Sequence, residues 1–84
     1  MTQTIFIDAD RYASPRELHL ALKMLLKLPE HYGCNADALY DCLSERHGCT
    51  VHLHIHTPGT GETAAALRKV IRVVEDLGGD VTPS

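Results

Sequence analysis

Three acidic residues, Asp37, Asp41 and Glu45, recur at four-residue spacing near the middle of this 84-residue chain. In a helix, residues four apart lie on the same face, so the three carboxylates would form one ridge. Like charges at this spacing destabilise an isolated helix by roughly 0.2–0.5 kcal/mol per pair. The pattern is typical either of a solvated acidic face or of a surface that binds a basic partner.

A second group of reactive side chains, His52, His54 and His56, alternates with apolar residues. In a β-strand, every second residue lies on the same face, and two imidazoles presented in this way can bind zinc. Three rings in a straight row cannot converge on one ion unless the strand bends, and no closing ligand is evident. The sequence therefore indicates no metal or other cofactor, and a histidine-based metal site is kept as an alternative.

Neither group indicates catalysis. Two carboxylates can act as a general acid and a general base, but Asp37 and Asp41 would lie on a convex helix face without walls that could raise a pKa. The sequence has no nucleophile elbow, and its Thr-Pro-Gly-Thr-Gly turn at 57–61 lacks the spacing of a phosphate-binding loop. We therefore predict that the protein is not an enzyme.

The acidic ridge would lie on a helix from Ala36 to about Glu45. Pro29 cannot continue the preceding helix, Gly33 can adopt backbone angles that other residues avoid, and Asn35 is a good N-cap residue. The opposite side of the predicted helix would face the core and carries Leu39, Cys42 and Leu43.

Residues 28–43 read Leu-Pro-Glu-His-Tyr-Gly-Cys-Asn-Ala-Asp-Ala-Leu-Tyr-Asp-Cys-Leu. This segment resembles the signature of the barstar family, the intracellular protein inhibitors of barnase-like ribonucleases. It combines a proline, a glycine, a capping asparagine, two aspartates and an aromatic residue at fixed spacing. In that family, a loop and the following acidic helix fill the active site of the nuclease. The resemblance therefore implies an inhibitor that blocks a basic active site.

The resemblance also implies a set of partner-binding residues. Asp41 would enter the catalytic centre, Asp37 would meet basic residues near its mouth, and His31 stands where other members have a stacking aromatic residue. On the third helix, Val73 stands where the family has a further acid. These departures leave the target open between a barnase-like ribonuclease, another nuclease toxin and a basic partner that is not a nuclease. The implied contact set is His31, Gly33, Asn35, Ala36, Asp37, Tyr40 and Asp41.

The composition limits the possible classes of protein. With 11 acidic and 8 basic residues, the net charge of −3 argues against nucleic-acid binding. No apolar run approaches the roughly 18 residues of a membrane span, and the N-terminus does not resemble a signal peptide. Three cysteines without a CxxC pair favour the reducing cytoplasm over a disulfide framework. We expect a cytoplasmic protein that is monomeric when free.

The remaining pattern predicts the fold class. We expect strands over 4–7, 51–56 and 80–83, a turn over 8–12, and flanking helices over 15–28 and 62–77. Ser14 and Glu17 should begin the first helix, and Thr60 can cap the last. Polar–apolar alternation over 51–56 indicates a sheet with one face open to water. We predict a single barstar-like α/β domain over residues 1–84: a three-stranded parallel sheet with helices packed mainly on one face.

Overall fold

The computed structural model describes residues 2–46 and 48–83, and its elements follow the predicted order. Within these residues, the three strands form one parallel sheet in which they neighbour one another in sequence order, and this confirms the predicted α/β fold. The predicted turn after the first strand contains a short 3-10 helix, Ala9–Arg11. The other elements are β1 Thr2–Asp8, α1 Pro15–Leu25, α2 Ala36–Ser44, β2 Thr50–Thr57, α3 Gly61–Asp76 and β3 Asp80–Pro83.

The sheet has one buried face and one open face. Phe6 is 68% exposed on the open face, next to the half-buried His52 and His54 of the neighbouring strand. The alternation predicted for the second strand is therefore confirmed. The buried face carries Ile5, Ile7, Val51, Leu53 and Ile55, which form one core with Leu18, Leu22, Leu39, Leu67 and Val70 of the three helices.

The first helix begins as predicted. Ser14 Oγ accepts a hydrogen bond from the backbone N–H of Glu17 at 3.3 Å. The Glu17 carboxylate accepts in return from the backbone N–H of Ala13 at 2.9 Å, so the two side chains satisfy two otherwise unpaired donors. Thr60 precedes α3 at the N-cap position, but its side chain makes no capping hydrogen bond.

The predicted end of α1 at Leu28 is wrong, because the helix stops at Leu25. Lys27 adopts a left-handed conformation with a φ of 53°, and the backbone N–H of Leu28 donates to the carbonyl of Lys23 at 2.9 Å. This is the Schellman arrangement, which usually has glycine at the left-handed position. A lysine there carries no sequence signal for a helix end, and the proline that follows lies outside the helix.

The end of α3 depends on two adjacent glycines. Gly78 is left-handed with a φ of 84°, and the backbone N–H of Gly79 donates to the carbonyl of Val74 at 2.9 Å. A Cβ atom on Gly79 would overlap the carbonyl oxygen of Val51 and lie 2.7 Å from Val74 Cγ1, whereas one on Gly78 would have no neighbour within 4 Å among the described residues. The close contacts therefore require glycine at position 79, whereas the left-handed backbone favours glycine at position 78.

We expect Gly79→Ala to lower the free energy of unfolding by about 3 kcal/mol, because the added methyl group forces α3 away from β2. Gly78→Ala is the matched control, with an expected loss of about 1 kcal/mol from left-handed strain alone. Urea denaturation at neutral pH measures both values. Equal losses in the two variants would contradict the proposed close contact.

Candidate functional site

The loop before α2 and the start of that helix are held by one side chain. Asn35 Oδ1 accepts from the backbone N–H of Ala38 at 2.8 Å, and Asn35 Nδ2 donates to the carbonyl of Gly33 at 3.2 Å. The first bond is the predicted N-cap. The second joins the cap to the loop, so the amide of Asn35 fixes the direction in which the helix leaves the loop.

The two sides of α2 differ as the sequence predicts. Leu39 and Leu43 are buried in the core, while Cys42 beside them is only half-buried. The cap and these leucines hold the helix in place, so the opposite face is directed to solvent. This outward face consists of Asp37, Tyr40, Asp41, Ser44 and Glu45, all of which are exposed.

The carboxylates of α2 are not neutralised within the described parts of the chain. Across residues 2–46 and 48–83, the one ion pair within 4 Å joins Lys23 Nζ to Glu30 Oε2 at 3.5 Å, outside α2. Asp37, Asp41 and Glu45 therefore keep their charge available to a partner, and their joint potential attracts cations.

A buried hydrogen bond supports the loop from below. His19 Nδ1 of α1 lies 2.6 Å from the hydroxyl of Tyr32, and both residues are less than a tenth exposed. Burial lowers the pKa of His19 and raises the pKa of Tyr32, so both groups are neutral at physiological pH. Sequence reasoning assigned neither residue a role, although His19 lies three and seven residues before Leu22 and Leu26, a spacing that indicates the buried face of the helix.

The backbone of the loop differs from the prediction. The left-handed residue is Cys34, with a φ of 55°, whereas Gly33 does not have a positive φ and so does not use the freedom that glycine allows. A Cβ at Gly33 would lie 3.3 Å from Asn35 Nδ2 and 3.5 Å from Ala38 Cβ, so a larger residue would press lightly on the Asn35 side chain. A left-handed residue with a side chain is strained, and the packing of Cys34 against the core holds it there.

Arg46 closes the base of the loop. Its guanidinium donates to the carbonyl of Lys27 at 3.0 Å, which joins the chain just after α2 to the end of α1. A bond from a charged donor is stronger than one between neutral groups. The loop from Lys27 to Asn35 is therefore tied at both ends, by Arg46 on one side and by the Asn35 cap on the other.

The structure brings the residues of the implied contact set to two grooves that flank α2. His31 and Asp41 border a groove of about 540 Å³ between the loop and the helix. A second groove, of about 460 Å³, lies between α2 and α3 and is bordered by Asn35, Ala36, Asp37 and Tyr40. Gly33 is exposed in the loop that connects these regions. Tyr40 is 43% exposed, so its ring can contact a partner.

The α3 side of the second groove carries two bases and one acid, Asp76. Val73, at the position where the resemblance implies an acid, is only 7% exposed. Lys69 and Arg72 border the same groove and are exposed. The sequence shows these two cations on α3, but only the packing of α3 against α2 places them next to Asp37.

The histidines of β2 are engaged with their neighbours on the sheet. His52 Nε2 lies 2.7 Å from Thr82 Oγ1, and the His54 ring contacts the rings of Phe6 and His52 at centroid distances of 5.1 and 4.9 Å. Within residues 2–46 and 48–83, no group of three or more His, Cys, Asp or Glu residues could hold a metal ion. The described residues therefore give no support to a metal site formed by His52, His54 and His56.

The fold and the surface around α2 define a small α/β protein with exposed, unneutralised acids on a convex helix. A family model described as Barstar (barnase inhibitor) matches residues 2–82. The chain belongs to the barstar family, as the resemblance of residues 28–43 predicts. Among the described residues, no helix is both long and apolar enough to cross a membrane.

Folding stability should decrease on acidification because of His19. Burial lowers its pKa below the ordinary value of 6.5, so the unfolded chain binds a proton in a range where the folded chain does not. The stabilising contribution is complete above about pH 6.5 and is lost as the pH falls from there towards the folded-state pKa. We expect His19→Gln to lose less stability than the wild type on this acidification. Urea denaturation over this pH range measures the difference, with His31→Gln, an exposed histidine, as the matched control. The same pH dependence in His19→Gln and the wild type would contradict the assignment.

We expect no specific zinc binding by the histidine row, because its rings lie in line and His52 is bonded to Thr82. Titration with low-micromolar zinc, followed by calorimetry, should give the same result for the wild type and for the double variant His52→Ala/His54→Ala. A signal present in the wild type and lost in the double variant would revive the metal-binding alternative.

Proposed function

We propose that this chain inhibits a barnase-like ribonuclease by inserting its acidic loop–helix surface into the basic active site, and that it is not itself an enzyme. The observation that carries the proposal is the pair of exposed carboxylates of Asp37 and Asp41. They lie one turn apart on a capped helix, without an ion-pair partner in the described chain. Membership of the barstar family supports the same conclusion.

In the proposed mechanism, negatively charged side chains of the inhibitor take the place of the negatively charged substrate. A ribonuclease binds a polyanion, so its active site is rich in Lys, Arg and His. The carboxylates of Asp37 and Asp41 would occupy sites that otherwise bind phosphate oxygens. Complementary potentials accelerate encounter and make the association rate sensitive to salt. Once water is excluded, each carboxylate can accept charge-assisted hydrogen bonds, including bidentate bonds from Arg.

The residues of the contact set have separate roles in this proposal. Asp41 would enter the catalytic centre, with His31 on the other side of their shared groove stacking against the enzyme. Asp37 would meet cations at the mouth of the site. The remaining residues would contribute close backbone approach and apolar or aromatic contact: Gly33, Asn35, Ala36 and Tyr40.

Rigidity of the loop favours tight binding. The Asn35 cap, the His19–Tyr32 bond and the Arg46–Lys27 bond hold the surface in one conformation before the partner arrives. A preformed surface loses less conformational entropy on association than a mobile one. The loop therefore holds α2, and with it Asp37 and Asp41, in a fixed orientation.

We further propose that residues 1–84 form one barstar-like domain that acts in the cytoplasm, is monomeric when free and binds neither nucleic acid nor membranes. The three cysteines support the reducing compartment, since all are free and half-buried. A barstar-fold module that binds a different basic protein is the second candidate. The replacement of an acid by Val73, with Lys69 and Arg72 beside it, favours this alternative.

We expect Asp41→Ala to weaken binding to a barnase-type ribonuclease by several kcal/mol. Truncation of a hot-spot residue in a protein interface typically has an effect of this size, and an aspartate of barstar is a known example. The free energy of unfolding should change by less than about 0.5 kcal/mol, because the side chain is exposed. Calorimetry with a catalytically inactivated enzyme measures the affinity, and inhibition of RNA cleavage by the active enzyme measures the function.

Glu75→Ala is the matched control, since Glu75 is an exposed acid that does not border either groove flanking α2. It should bind like the wild type. Equal binding by Asp41→Ala and the wild type would overturn the role of Asp41. Tight binding by the wild type that leaves RNA cleavage unchanged would favour the second candidate.

A further inference from the structure

The groove between α2 and α3 brings an acid of one helix next to two bases of the other. Asp37 lies on the α2 wall, and the α3 wall consists of Lys69, Arg72, Val73 and, one turn beyond Arg72, Asp76. Apart from Val73, which is buried, these side chains are exposed. The groove is therefore a place where two charge signs are presented side by side to the same partner.

These opposite charges do not neutralise each other. Within residues 2–46 and 48–83, neither Lys69 nor Arg72 has a carboxylate oxygen within 4 Å, although Asp37 borders the same groove. An exposed ion pair across the groove would stabilise the free chain by at most about 1 kcal/mol. Both walls therefore keep their charges available for contacts outside the chain.

The exposed face of α2 repeats acids at four-residue spacing, whereas α3 carries its three bases in the middle of the helix, with Glu62 near its start and Glu75 and Asp76 at its end. Like charges four residues apart, such as Arg68 and Arg72, destabilise a helix slightly. The acids of α2 and the central bases of α3 therefore offer a partner two neighbouring regions of opposite charge.

We propose that the protein partner carries an acidic patch beside its basic cleft, and that Lys69 and Arg72 contact this patch while Asp37 and Asp41 occupy the cleft. The inference rests on the proposed function and adds the charge pattern that the partner must have. A cleft with a uniformly basic rim would place like charges opposite Lys69, and their repulsion would disfavour that complex. Packed helices lie about 8–10 Å apart, so the acidic patch lies about one helix diameter from the site that receives Asp37.

Reversing the charge of Lys69 tests this proposal, because the proposal predicts whether the affinity falls or rises. If the partner surface opposite α3 is acidic, Lys69→Glu weakens binding about tenfold through like-charge repulsion. If that surface is basic, the same change strengthens binding, because it adds an acid to an acidic inhibitor. Arg68→Glu is the matched control: Arg68 lies on the same helix and is also exposed, and its reversal changes the net charge by the same amount, but it does not border the groove with α2.

The experiment is calorimetric titration of the full chain with a catalytically inactivated barnase-type ribonuclease, at low and at moderate salt. The wild type, Lys69→Glu, Arg68→Glu and Asp41→Ala are compared after thermal unfolding has shown that all are folded. We expect Lys69→Glu to bind about tenfold more weakly than Arg68→Glu, with the difference reduced at moderate salt.

Three results would count against the proposal in distinguishable ways. Tighter binding by Lys69→Glu, or equal binding by Lys69→Glu and Arg68→Glu, overturns the acidic patch. If Asp41→Ala still loses affinity in that case, the proposed function stands. Failure of the wild type to bind overturns the proposed function and this inference together.

Discussion

A carboxylate can act on a partner only while its own chain leaves it charged and exposed, and the surroundings of α2 maintain this condition for Asp37 and Asp41. Neither residue has an ion-pair partner among residues 2–46 and 48–83, and both lie on the solvent side of the helix. This arrangement destabilises the free chain slightly, because like charges one turn apart repel. The rest of the fold has to supply the stability that this face lacks.

That stability comes from the opposite side of the same helix and from the loop before it. Leu39 and Leu43 bury the inner face of α2, and the Asn35 cap satisfies its first turn. Beneath the loop, His19 and Tyr32 form a buried hydrogen bond in which both side chains are uncharged. Such a pair is stable only while both groups remain uncharged, which couples the support of the loop to pH.

The sequence resemblance implies that this chain departs from its family at His31 and Val73, each of which borders a groove beside α2. His31 brings a titratable ring to the loop, and the buried Val73 brings no charge to α3. Lys69 and Arg72 add two positive charges to the outer wall of the second groove, which also contains Asp76. Charges that surround an acidic contact surface favour some partners and disfavour others.

Local patterns in the sequence determined the order of the elements, the open face of the sheet and the two sides of α2. Alternation over 51–56, the Ser14 and Asn35 caps and the apolar spacing of the helices depend only on neighbours within a few residues. The same locality explains the errors. Lys27 and Cys34 take left-handed conformations that glycine usually takes, because contacts with distant residues hold them there, and no local signal marks them.

The tertiary structure alone decided what lies beside the acidic helix. His19 and Tyr32 are 13 residues apart, and Asp37 and Lys69 belong to different helices, so their proximity arises only when the helices pack on the sheet. The sequence determined that the chain would carry an acidic helix face on an α/β scaffold. Packing decided that this face has no ion-pair partner within residues 2–46 and 48–83, follows a loop tied at both ends and lies next to Lys69 and Arg72, because charge and burial depend on neighbours in space rather than in sequence.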